Sequence, residues 1–276
     1  MKIDTHLHVW KKKEPPYMWM LDSIDGQFDV LEWCMEKSGV DRTVFVGSIK
    51  EQNEDNNEYL SEIIHRHPGK FQAWGSVNIR NEDAIGRMKH CIDELGLVGI
   101  NFYMPAGGDF EFMLEDSLHG LWEGLVERKS SFNTACSYSE ANIIGRLAER
   151  YPGLNIILAH MGRPVVEEPE PYQNWGRILE LAQYGNIYVK LSGIYSFSEK
   201  GWGVIEFPYT EVYPLVRSLR DSFGAERLTW GSDFSPCLQH HTYQQAVNFI
   251  DKGCTFLSLE EKEWIFGKTI EKIVTF

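Results

Sequence analysis

The order of apolar and polar residues divides the chain into short apolar runs separated by longer stretches with helical spacing. Eight runs stand out: Lys2–Val9, Arg42–Ser48, Phe71–Val77, Val98–Tyr103, Ser131–Ser137, Asn155–Ala159, Ile187–Leu191 and Arg227–Trp230. Several, such as Ile156-Ile157-Leu158-Ala159, are apolar at consecutive rather than alternate positions. Strands covered on both faces have this pattern, as in a parallel sheet. Between the runs, Asn57–His67 sets Tyr59, Leu60, Ile63 and Ile64 on one side. Asn81–Leu95 spaces Ile85, Met88, Ile92 and Leu95 as a helix does, and Ser139–Tyr151 ends at a Pro152-Gly153 stop. Trp175–Tyr184 and Tyr213–Phe223 repeat the pattern, and the tail Leu257–Phe276 predicts one or two further helices. Strand then helix, eight times over, predicts an α/β fold, a single-domain (β/α)8 TIM barrel over residues 1–276 with extra C-terminal helices. The rival, a doubly wound open sheet, calls for a glycine-rich phosphate loop after the first strand. That strand ends instead in His6-Leu7-His8. No repeat or charge block marks a domain boundary, and Glu14–Trp19 and Pro164–Pro171 read as loops inserted at strand ends.

Composition narrows the partners. The 40 acidic and 27 basic residues give a formal net charge of −13. A diffuse acidic excess disfavours nucleic acid and anionic membranes, which attract basic patches, and leaves a small-molecule substrate as the expected partner. No apolar stretch approaches the roughly 18 to 20 residues of a bilayer span. Met1-Lys2-Ile3-Asp4 leads straight into polar residues, so no signal peptide is expected. Five widely spaced cysteines (Cys34, Cys91, Cys136, Cys237, Cys254) form no CxxC pair and read as reduced, cytoplasmic packing thiols.

Three stretches carry chemistry. In Asp4-Thr5-His6-Leu7-His8, the period of two puts Asp4, His6 and His8 on one strand face. Inside a barrel, two imidazoles converging at a C-terminal strand end can bind a divalent cation. The sixth strand ends in His160 and turns through Met161-Gly162 to Arg163; the eighth ends in Asp233 shortly before Pro236. Each alone has an ordinary structural explanation, Asp233 as a helix cap for example. Strands one, six and eight of one barrel would nevertheless present these groups at a single rim. Trp10, Tyr17, Trp19 and Tyr195 fall in strand-end loops, where they would wall a pocket or suit a homo-oligomer interface. His240 and His241 follow the eighth strand and could reach the rim, but read first as capping or surface residues.

Together Asp4-Thr5-His6-Leu7-His8-Val9-Trp10, Leu158–Pro164, Val189-Lys190-Leu191-Ser192-Gly193 and Trp230–Pro236 resemble the amidohydrolase superfamily, in particular its amidohydrolase-related branch of metal-dependent hydrolases. The KLSG and HMGRP stretches are similar to those of lactonases that open sugar lactones and pyrone dicarboxylate lactones. The resemblance implies His6, His8 and Asp233 as ligands of a Zn²⁺ or other divalent ion, one per chain. It further implies Asp233 as proton acceptor for the attacking water, His160 as its catalytic partner, and Asn101, Tyr103, Arg163 and Lys190 as substrate contacts. Two departures stand against a binuclear centre. Strand four, Gly99-Ile100-Asn101-Phe102-Tyr103, lacks the bridging Lys or Glu, and strand five, Phe132–Ser137, lacks a His. A mononuclear site, with water, His160 or Cys136 completing it, and metal-free catalysis both remain open. The expected reaction is water attack on a lactone of a sugar acid or small carboxylate. The alternatives are a metal-dependent non-oxidative decarboxylase on the same barrel and a ligand-binding barrel without catalysis.

Overall fold

The computed structural model describes residues 1–10, 27–48, 55–105 and 107–276. The expected Glu14–Trp19 loop, with Tyr17 and Trp19, lies outside the described residues. Eight strands, β1 (Ile3–Asp4), β2 (Arg42–Val46), β3 (Phe71–Ser76), β4 (Gly99–Asn101), β5 (Ser131–Thr134), β6 (Asn155–Leu158), β7 (Ile187–Leu191) and β8 (Leu228–Trp230), pair in parallel in sequence order. Beyond its ladder, β1 continues as extended chain and meets the segment after β8 through a parallel bridge between Leu7 and Phe234. The seam is closed by Thr5 N–H to Trp230 O (3.0 Å), Asp233 N–H to His6 O (2.8 Å) and His8 N–H to Phe234 O (2.6 Å). The sheet is therefore a (β/α)8 barrel, as the pattern predicts.

Apolar packing falls into two shells. Ile3, Val44, Val46, Trp74 and Ile157 come from strands on opposite sides of the sheet yet form one buried cluster, so they fill the barrel interior. Ile270, Ile273 and Val274 from the chain end join that cluster and plug the N-terminal mouth. Other strand residues, such as Phe45, Ile100, Phe132, Leu158 and Val189, pack outward against the helices. Both faces of every strand are thus covered, which is why several strands read as unbroken apolar runs.

The helices include α1 (Phe28–Ser38), α2 (Asp55–Arg66), α3 (Ala84–Lys89), α4 (His119–Glu127), α5 (Ala141–Arg150), α6 (Gly176–Glu180), α7 (Tyr213–Phe223) and α8 (Tyr243–Asn248). Leu259–Glu263 and Thr269–Glu271 form α9 and α10 in the tail. The sequence spacing predicts no helix at α1, α4 or α8. In α1 only Leu31, Cys34, Met35 and Ser38 are buried, while Trp33 is exposed, so the apolar stripe is blurred. Several strands also end earlier than expected. Past Asn101 and Thr134, single bonds such as Phe102 N–H to Asn133 O (3.1 Å) and Thr134 Oγ1 to Phe102 O (2.6 Å) replace the ladder as the chains splay at the rim.

The seam tolerates no extra atom at one point. A Cβ on Gly231 would lie 2.4 Å from His6 Cβ and 2.8 Å from His6 N. Gly231→Ala is therefore expected to cost about 1–3 kcal/mol of stability through overpacking. Urea unfolding checks this, with Gly185→Ala as a control because its new Cβ meets nothing within 4 Å. Equal midpoints for the two variants would contradict a tightly packed seam.

Candidate active site

The site is built on the C-terminal ends of β1, β6 and β8. Ile3 belongs to the inner cluster, whereas Leu7 and Val9 belong to the outer one, so the alternation along the first strand reverses between them. The reversal separates Asp4 from the two histidines, correcting the expectation of one shared face. Asp4 Oδ2 accepts from Tyr243 Oη on α8 (2.8 Å), and Oδ1 accepts from the Ser232 and His6 N–H groups (2.9 and 3.1 Å). Burial lifts its carboxyl to about 6 against those hydrogen bonds. Asp4 thereby ties the turn that carries Asp233 to the strand that carries His6.

Asp233 follows β8 at φ 61°, a left-handed conformation unusual outside glycine. Its Oδ1 lies 3.6 Å from His6 Nε2 and 3.8 Å from His8 Nε2, and its Oδ2 accepts from Tyr195 Oη at 2.7 Å. After β6 the chain runs through His160, Met161, Gly162 and Arg163 with φ of 52°, 54°, 67° and 53°. This left-handed run is held by burial of Met161 and by the Trp175 indole, which donates to Met161 O (2.8 Å). It brings the His160 ring 4.4 Å, centroid to centroid, from His6. Ser192 Oγ accepts from the His160 N–H and contacts Nδ1, both at 3.2 Å. The neighbouring glycine of the KLSG stretch is required twice over: Gly193 has φ 67°, and a Cβ there would fall 2.3 Å from His160 Nδ1.

Burial dominates the electrostatics. It pushes the His6, His8 and His160 imidazoles down, His160 to about 3, with Arg163 and Lys190 acting in the same direction on His160. The rings are therefore neutral at pH 7, and the His–Asp233 contacts are ion–dipole contacts rather than ion pairs. Burial raises the Asp233 carboxyl, opposed by His8, Tyr195 and Lys190.

The donor set fits a divalent cation. His6, His8 and Asp233 offer atoms within 4.8 Å of one another, the single such group among the described residues. His8 Nδ1 donates to Val46 O at 2.8 Å, which leaves the Nε2 lone pair free for a ligand. His6 Nδ1 is buried without a hydrogen-bond partner among the described residues. The 3.6 and 3.8 Å separations approach those between neighbouring ligands of a tetrahedral ion, about 3.4 Å for bonds of about 2.1 Å. Cys136 lies outside this group, and burial pushes its thiol up to about 12.

The expected substrate contacts divide. Tyr103 Oη reaches His6 Nε2 at 3.5 Å, so Tyr103 is in the site. Arg163 is half-buried and close enough to His160 and Cys136 to act on both electrostatically. Asn101 is part of the barrel wall: its Nδ2 donates to Gly47 O (2.9 Å) and its Oδ1 accepts from Asn133 Nδ2 (2.7 Å). Lys190 is fully buried, donates to Thr5 O at 2.6 Å and sits 3.8 Å above the Trp74 ring. Burial carries its amine well below the ordinary lysine range. In this structure both side chains brace the barrel from within, Asn101 through both its polar atoms and Lys190 through its bond to Thr5 O.

Sequence reasoning missed the partners of the partners. Tyr195 reads from the sequence only as a wall aromatic, and Ser192 only as one member of the KLSG stretch, although both lie within two residues of its glycine. His240 stacks on Tyr195 (4.4 Å, 19°). His241 is buried with its Nδ1 2.8 Å from Tyr209 Oη. Neither is the surface residue expected. Trp10 lies beside His8 (5.9 Å, 20°) and donates to Ser48 Oγ (3.0 Å).

The family model of the amidohydrolases matches residues 3–276. The chain belongs to the amidohydrolase family. Among its relatives, an L-fucono-1,5-lactonase of Burkholderia ambifaria is 27% identical over 84% of this chain and 80% of its own length. A Burkholderia multivorans amidohydrolase superposes with a TM-score of 0.82 in a form with bound HEPES and 0.80 in a form with bound zinc. Identities are 18 and 19%, each over 99% of this chain and 98% of the other. A 2,6-dihydroxybenzoate decarboxylase of Rhizobium shares the fold at a TM-score of 0.71 and 14% identity, over 99% and 98% of the two chains. At such identities the solved structures speak for the barrel alone. No helix among the described residues is long and apolar enough to cross a membrane.

The pocket edge yields a pH prediction. Burial lowers the His241 imidazole from 6.5 to about 4. Between those values the unfolded chain binds more protons than the folded one, so stability falls as pH drops through that window, by up to about 3 kcal/mol. His241→Asn, which keeps a polar partner for Tyr209, is expected to flatten the dependence of Tm on pH between 6.5 and 4. An unchanged slope would contradict a neutral, buried His241.

Proposed function

We propose that this amidohydrolase is a lactonase that opens the lactone of a sugar acid or small carboxylate by attack of water. The observation that carries this reading is the Asp233 carboxylate, buried and facing two neutral imidazoles through one oxygen, Oδ1. Burial makes it a stronger base than an ordinary surface carboxylate, which suits general-base catalysis near neutrality. The likeness to an L-fucono-1,5-lactonase supports a lactone as the ester attacked.

Asp233 Oδ1 accepts a proton from water as its oxygen adds to the lactone carbonyl. The same proton then passes to the ring oxygen as the C–O bond breaks, so the hydroxy acid leaves and the carboxylate is restored. His160 serves the developing oxyanion. Ser192 Oγ accepts from the His160 main chain and lies 3.2 Å from Nδ1; in the tautomer in which it donates there, the ring proton sits on Nε2 as a donor. One donor of this kind is worth roughly 3 to 4 kcal/mol in the transition state. Arg163 at the mouth supplies a two-pronged contact for a substrate carboxylate. His6, His8 and Asp233 would hold one divalent ion, with zinc the metal their nitrogen and oxygen donors suit. Such an ion, when bound, lowers the pKa of coordinated water and polarises an ester carbonyl.

Asp233→Asn is expected to lower kcat on responsive sugar-acid lactones by about 10²–10⁴-fold, measured by continuous acid titration. Equal rates for wild type and variant would remove Asp233 as the base. Chelation followed by dialysis is expected to abolish turnover, and one equivalent of zinc to restore it. Full activity in the stripped protein would replace the metal-assisted route by the metal-free one.

A further inference from the structure

We infer that Tyr195 is a positioning residue for Asp233, a shelf that fixes the carboxylate so that Oδ1 faces the two imidazoles. Three observations carry this. Tyr195 Oη donates to Oδ2 at 2.7 Å, the opposite oxygen from the one near His6 and His8. A carboxylate with one oxygen tied has lost its freedom to rotate about the Cβ–Cγ bond, so the other oxygen keeps one direction. The Tyr195 ring is itself immobilised: it is buried, stacked on His240 at 4.4 Å and met edge-on by Trp202 at 6.1 Å. The loop after β7 closes the stack, because Gly203 N–H donates to Tyr195 O at 3.0 Å. A Cβ on Gly203 would strike His240 Nδ1 at 2.6 Å.

The shelf acts through Asp233 and does not touch the reacting atoms in this arrangement. Its loss therefore slows the chemical step and weakens the ion-binding set without altering how substrate docks. The kinetic part rests on the lactonase reading; the binding part does not.

Tyr195→Phe keeps the ring and deletes the hydroxyl. Removing a partner that orients a metal ligand typically costs 10–100-fold in metal affinity or activity. The variant is accordingly expected to lose about 30-fold in kcat on a lactone that wild type opens, with KM within about twofold. Zinc affinity by calorimetry on stripped protein is expected to fall about tenfold or more. Unchanged kcat with unchanged zinc affinity would overturn the inference, as would a KM effect with intact kcat. If wild type opens no lactone, the lactonase reading fails, and zinc affinity alone decides on Tyr195. Should Tyr195→Phe not fold, His240→Ala carries the same test, since it leaves the hydroxyl but frees the ring beneath it. A drop in zinc affinity smaller than that of Tyr195→Phe is expected there, and wild-type affinity would overturn the inference.

Discussion

The site depends on the seam where the end of β8 meets the start of the chain. Three backbone hydrogen bonds close it: Thr5 to Trp230, Asp233 to His6, and His8 to Phe234. Each is worth only about 1 kcal/mol net. Their importance is geometric. The Asp233 N–H donates to the carbonyl of His6 itself, so one bond sets the main chains of two site residues side by side. Asp4 repeats the tie with its side chain, gathering the N–H groups of His6 and Ser232 on one oxygen. Closing so long a loop costs little more entropy than closing a shorter one, because the cost grows with the logarithm of length. Residues at the two ends of a long chain can therefore form one rim.

Between the apolar interior cluster and the rim lies a polar layer. Lys190, Asn101, Asn133, Thr5 and Thr229 are all fully buried there. The barrel engages them in Lys190 to Thr5 O, Asn133 to Asn101, Asn101 to Gly47 O and Thr5 to Thr229. Buried polar networks of this kind specify position more than they add stability. Burial also makes the site chemically coherent. It keeps the imidazoles uncharged and lifts the carboxyl, which leaves lone pairs and a base where water or a cation is to be bound.

The sequence carried the architecture because both faces of each strand are buried, so that several read as consecutive apolar runs, and because five of the helices between them have regular stripes. It carried the rim residues because His6, His8, His160 and Asp233 all fall at strand ends. It did not carry the reversal that turns Asp4 away from the histidines, since a bend in one short segment leaves no periodic signal. Nor did it show that Lys190 and Asn101 point into the barrel with their polar atoms occupied: inward-facing polar residues look alike whether they stop below the rim or reach it. The contacts of Tyr195 and His240 went unforeseen for a related reason. Their roles arise from contacts between the loops after β7 and β8, and loop-to-loop contact is not encoded in the spacing of either.

The central claim is that His6, His8 and Asp233 act as one site. Zinc affinity measured by calorimetry across the cycle of His8→Ala, Asp233→Ala and the double variant tests it most directly. If the three side chains share one ion, each single substitution removes most of the binding and the double removes little more, because coupled partners are strongly non-additive. Additive losses, or zinc binding that survives both changes, would mean that the seam does not join these residues into one site.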